Sequence, residues 1–182
     1  MESGDIILFS SITPCACCVG FLTRSKINHV GICLKHSDIF PEDKKEEKTY
    51  VLQSSFEGAA NKKGIKLNLG VSLYELKDIV EFYPRIYYRP LHQRPKDPLF
   101  FSKFYQEVQQ IGYDFTPSTW LGFLGIKTDK AEQEGFTCSA LVAYMLNKMG
   151  IFKADWNKVE PCYFDEIDEI WIGRRREVAK WF

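Results

Sequence analysis

Cys138 is the residue of this chain whose type and setting best suit nucleophilic chemistry. It stands in Gly135-Phe136-Thr137-Cys138-Ser139-Ala140-Leu141-Val142-Ala143-Tyr144-Met145-Leu146. Leu141, Val142, Met145, Leu146 and Met149 recur at three- and four-residue spacing, the pattern of a buried helix face. Thr137 is the predicted N-cap, its hydroxyl accepting from an orphan backbone N–H. Gly150 is the predicted stop, because glycine takes the left-handed conformation at no steric cost. The sulfur would then lie over the positive end of the helix dipole, a field that favours thiolate over thiol. A small buried apolar cysteine is the plain alternative.

A hydrolytic cysteine also needs an imidazole to exchange protons with it and a polar group to hold that imidazole. Of three histidines, His29 is best placed, at the start of the β-rich run His29-Val30-Gly31-Ile32-Cys33-Leu34. His36 abuts a charged segment and His92 lies in a proline-bearing connector, so both are expected to be exposed. Ser139 beside the cysteine lacks a base in register and reads as a helix-start residue. Cys15, Cys17 and Cys18 form a C-x-C-C cluster, which is not a usual zinc spacing, and no metal or cofactor is expected.

The elements that must position these residues follow from periodicity. Asp5 to Phe9 and Asn28 to Leu34 read as core strands, and Tyr50 to Ser55 as a strand pairing antiparallel with the His29 strand. Residues 37–49 read as a charged loop. Gly64 to Leu69 alternates like a half-buried strand, and Ser72 to Leu76 suggests a capped helical turn. Ile86 to Leu91 is a strand whose Pro90 favours an edge or an end. Leu99 to Ile111 is a helix, with Phe100, Phe104, Val108 and Ile111 on one face. Pro161 to Ile167 reads as a turn with a short helix, and Glu169 to Ile172 as a last strand. Strands gathered around a cysteine helix make one α+β domain over residues 1–182, with helices on a mostly antiparallel sheet.

Composition narrows the function classes. The 182 residues carry no net charge, with 45% hydrophobic, 15% aromatic and 26% charged residues, an ordinary globular profile without a nucleic-acid footprint. No apolar run approaches the roughly 20 residues of a membrane span. Six unevenly scattered cysteines are no secreted disulfide framework, and Met1 to Asp5 lacks the basic start of a secretory signal. A cytoplasmic setting is expected. The aromatic stretch Trp120 to Leu124 suits core packing, an acyl pocket or peripheral membrane contact.

In order, His29-Val30-Gly31-Ile32 and Phe136-Thr137-Cys138-Ser139-Ala140-Leu141-Val142 resemble the circularly permuted NlpC-type papain-like hydrolases. In that family the histidine strand precedes the cysteine helix, and the YiiX/YebB-like amidases and a related poxvirus protein share the layout. Gly4 to Phe9 is similar to the family's first strand. Gly112-Tyr113-Asp114-Phe115 is similar to its tyrosine-containing turn, and Pro161 onward to its proline-led segment. The resemblance implies a permuted papain-like fold with Cys138 as nucleophile and His29 as general base. Its third position falls on Gln53, where many relatives use a glutamate. A glutamine carbonyl can still accept the imidazole N–H, although it stabilises an imidazolium less than a carboxylate does. Glu57 is a fallback orienter. For the oxyanion, the Cys138 backbone N–H and the Tyr113 hydroxyl are candidate donors.

The activity so implied is a cysteine hydrolase cleaving a peptide-like or N-acyl amide through a thioester acyl-enzyme. Two alternatives stand beside it. One is a lipid ester hydrolase or acyltransferase of the lecithin–retinol acyltransferase-like branch, whose usual cysteine context is absent around Cys138. The other is a binding module on a decayed hydrolase fold, which Gln53 keeps open. The partner implied is a small-molecule, peptide-like or acyl substrate.

Overall fold

The computed structural model describes residues 1–10, 25–43, 47–55, 69–114, 135–153, 155, 159–167 and 171–178. The predictions made for residues 15–18, 57, 64–68, 120–124 and 169–170 fall outside them.

A six-stranded sheet is the frame. Its strands are β1 (Ile6–Ser10), β2 (His29–Lys35), β3 (Thr49–Ser55), β4 (Gly70–Glu75), β5 (Arg85–Arg89) and β8 (Arg176–Glu177), in the spatial order β4-β3-β2-β1-β5-β8. Every pairing in it is antiparallel. A separate parallel pair joins β6 (Gly112–Tyr113) to β7 (Gly135–Phe136). The helices are α1 (His36–Ile39), α2 (Leu76–Ile79), α3 (Phe100–Val108), α4 (Cys138–Lys148) and α5 (Tyr163–Glu166). The expected α+β class and mostly antiparallel sheet are observed.

Both faces of the central strands are covered, which is why Ile6 to Phe9 is continuously apolar rather than alternating. Ile6, Leu8, Val30, Ile32 and Leu52 pack toward α4 in the larger core. Ile7, Phe9, Cys33 and Val51 point the other way, into a smaller core with Leu76, Ile79, Tyr83 and Ile86. Helix α4 is buried along most of its length, so apolar side chains ring it beyond a single stripe. Thr137 caps it as predicted, Oγ1 accepting the Ala140 N–H at 3.2 Å. Gly150 ends it with φ +73°.

Two buried charges hold the chain ends to the sheet. Asp5 accepts the backbone N–H of Leu91 at 3.0 Å and pairs with Arg94 at 2.7 Å. Arg89 donates to the carbonyls of Gly173, Phe164, Asp165 and Ile167 at 2.5–3.2 Å, tying the C-terminal segment to β5.

Several local expectations are corrected. Ser72 to Glu75 is strand, not a capped turn, because β4 pairs with β3 as far as Tyr50↔Glu75. The helix begins only at Leu76 and has no side-chain cap; Glu75 instead pairs with Lys48 and Lys77. The predicted 37–49 loop opens with α1. Of the predicted last strand, Ile172 makes an isolated bridge to Leu91, and the last strand among the described residues is β8. His36 is buried, its ring packed against Phe40 and Tyr50, because α1 folds back onto the sheet end. Among the described residues, no helix is long and apolar enough to cross a membrane.

Candidate active site

Strand pairing places the predicted residues at one end of the sheet. His29 opens β2 opposite Phe9 of β1. Residues directly opposite in an antiparallel pair share a face, so the imidazole points with Phe9 into the smaller core. There it lies tilted on Phe9, with centroids 5.3 Å apart, and stacked on Tyr83 at 5.8 Å and 7°. Gln53 lies on the same face of β3, fully buried, and its Oε1 is 3.0 Å from His29 Nε2. With the carbonyl so directed, Nε2 carries the proton and donates it, which leaves Nδ1 as the basic nitrogen.

Cys138 approaches from the other side. The β2–β3 register runs from Lys35↔Thr49 to Ile32↔Leu52, and both strands continue past it. Cys33 donates its N–H to Asp5 and accepts from Gly4, so its backbone faces β1. By alternation the N–H of Val30, three residues away, faces β3. There it lies near enough to the Cys138 sulfur to favour its thiolate, as do the N–H groups of Cys138 itself and Ser139. The thiol thus lies beside the start of β2, next to Val30 and one residue from His29. Ser54, on the face of β3 opposite to Gln53, donates to the Phe136 carbonyl at 2.6 Å, fixing the approach to the helix.

The electrostatics differ from the thiolate expected of a helix N-terminus. Burial raises the Cys138 thiol to about 11, outweighing the three backbone N–H groups that lower it. Burial likewise lowers His29 to about 4, outweighing the Gln53 hydrogen bond, which raises it. At neutral pH the resting pair is therefore a thiol and a neutral imidazole. Among the described residues no hydrogen bond joins the two.

Tyr113 sits opposite Phe136 in the β6–β7 pair, two residues before the cysteine, and is half-buried. Glu57 lies outside the described residues. His92 is exposed, as expected. Phe9 and Tyr83, which pack against each other at 4.3 Å and both contact the His29 ring, carry no local signal that would single them out. Tyr83 follows a turn after α2 and reaches the histidine only through the tertiary fold.

No protein-family model matches the chain, and no curated protein matches it. Among solved structures it is similar to the metalloprotein YiiX from Escherichia coli O157:H7, with a TM-score of 0.52 at 17% identity. The match covers 81% of this chain but only 66% of that one, so the chain spans less than two thirds of its neighbour. The likeness is one of fold: an α+β, YiiX-like arrangement built on a mainly antiparallel sheet. Among the described residues of this chain, no group of three or more His, Cys, Asp or Glu side chains could hold a metal ion.

Proposed function

We propose that this protein is a cysteine hydrolase that cleaves peptide-like or N-acyl amides on a permuted papain-like fold. The observation carrying the reading is the 3.0 Å His29–Gln53 bond at the strand end where the Cys138 sulfur meets the Val30 N–H. In the first step Sγ attacks the acyl carbon while its proton passes to His29 Nδ1. The oxyanion formed is held by the Cys138 N–H, with the Tyr113 hydroxyl as second donor. The imidazolium then protonates the leaving amine, giving a thioester. Water attacks the thioester with His29 again as base, the acid departs, and the proton returns to sulfur. Because the resting pair is neutral, proton transfer accompanies attack rather than preceding it. Apo geometry of such pairs commonly tightens only with substrate bound.

Incubation with an activated acyl ester, followed by peptide mass mapping, tests this reading. An acyl adduct is expected on Cys138 in the wild type, with acylation much slowed in His29→Ala. A wild-type protein that never acylates at Cys138 would sink the proposal.

A second reading, a binding module that has kept a hydrolase fold, is favoured by one observation. Among the described residues, no hydrogen bond joins the buried Cys138 thiol to the half-buried His29 imidazole, whose ring is bonded to Gln53 instead. It predicts ligand affinity that survives Cys138→Ser and no acyl-enzyme at all.

A further inference from the structure

Gly31 stands between His29 and Cys33 on the smaller-core face of β2, where a side chain would ordinarily project. Its φ is not among the positive values of the described glycines, which belong to Gly4, Gly70 and Gly150. Conformational freedom therefore does not explain a glycine here, and space does. A Cβ at residue 31 would lie 2.8 Å from Val51 Cγ1, 3.1 Å from the Leu52 carbonyl oxygen and 3.4 Å from Gln53 Cβ. The first distance is shorter than real Cβ contacts, and the second is tight against backbone that cannot swing away. All three neighbours belong to the one stretch of β3 that carries Gln53 past β2 to His29. Gln53 is fully buried and, among the described residues, its Nε2 has no hydrogen-bond partner, so the bond to His29 is what fixes its amide there.

We infer that Gly31 is a positioning residue: its missing side chain lets Val51 and Gln53 seat against β2, and so lets the Gln53 carbonyl hold His29 in the Nε2–H tautomer. A methyl group at 31 would push β3 outward at Val51 to Gln53. The amide would then leave the imidazole. Val51 is the compensating position, since its Cγ1 makes the severest overlap.

The catalytic consequence of this arrangement rests on the proposed hydrolase reading, but its test does not. Histidine-selective 15N NMR would be recorded on the whole chain for wild type, Gly31→Ala, Val51→Ala and the double variant, with thermal melts alongside. The wild type and Val51→Ala should show the Nε2–H tautomer with a slowly exchanging ring proton. Gly31→Ala should lose both signatures, and the double variant should regain them. The inference is overturned if Gly31→Ala melts lower yet keeps the Nε2–H signal, which would make the glycine merely structural. It is equally overturned if the double variant folds without the signal, or does not fold, because relieving Val51 would then be insufficient. If Gly31→Ala cannot be folded, the double variant alone decides on the same terms. Failure of the acyl-enzyme test would leave this result standing, and the reverse holds too.

Discussion

Alkylation of Cys138 as a function of pH bears directly on how the site works. Thiolate is the form that reacts with iodoacetamide, so the rate follows the ionised fraction. With the thiol raised to about 11, that fraction at pH 7 is about 10⁻⁴, against about 0.03 for an ordinary thiol near 8.5. Cys138 should therefore label about 300-fold more slowly than a model thiol at neutral pH, before any further loss from restricted access. The rate should climb tenfold per pH unit through pH 9 and 10, without an acid-stable plateau. His29→Ala should change the profile little, because the imidazole is neutral over this range. The readout must be site-resolved by peptide mass spectrometry, since other cysteines label in parallel. Rapid labelling that persists to pH 5 and collapses in His29→Ala would refute the reasoning. It would mean that the site rests as a thiolate–imidazolium pair and that burial does not dominate.

Further outcomes are expected. A His29 held near 4 is neutral in the native state while unfolded histidine, near 6.5, takes up a proton. The stability this contributes is complete above about pH 6.5 and is lost as pH falls toward 4. It amounts to at most about 3 kcal/mol, lessened by the residue's partial exposure, and urea melts of wild type and His29→Phe across pH 4–7 would measure it. Gln53→Glu should raise the His29 pKa from about 4 toward or above its ordinary value, since a carboxylate favours the charged ring; an unmoved NMR titration would contradict the 3.0 Å contact. At the alkaline end, Cys33 and Cys138 are raised to about 12 and about 11, so the unfolded chain releases protons that the native state keeps. Stability should fall above about pH 8.5 by about 1.4 kcal/mol per pH unit for each thiol, and Cys33→Ala should remove its share. Arg89→Met leaves the carbonyls of Phe164, Ile167 and Gly173 without their buried donor. A loss of roughly 3 kcal/mol in denaturant melts is expected, and Arg89→Lys should not restore it, since a point ammonium cannot serve a fork of acceptors.

The amino-acid sequence by itself determined what local periodicity and capping can specify. The Cys138 helix, its Thr137 cap and Gly150 stop, the strands at Ile6 and His29, and β3 as antiparallel neighbour of the His29 strand all follow from residue patterns whose physics is local. Local signals also misled. Ser72 and Glu75 match a capping box, yet pairing with β3 draws them into a strand, because ladder hydrogen bonds outweigh a marginal turn. His36 looks exposed beside its charged neighbours, but α1 folds it under Phe40 and Tyr50. What only the tertiary structure decided is the state of the site. A helix N-terminus argues for a thiolate when considered alone, and the N–H groups of Cys138 and Ser139 do act in that sense. Desolvation is a property of everything packed around the sulfur, however, and it prevails. The face that His29 presents, the Tyr83 ring stacked on it and the crowding at Gly31 likewise depend on which strands meet and in what register. Such contacts join residues tens of positions apart, and no pattern within one segment encodes them.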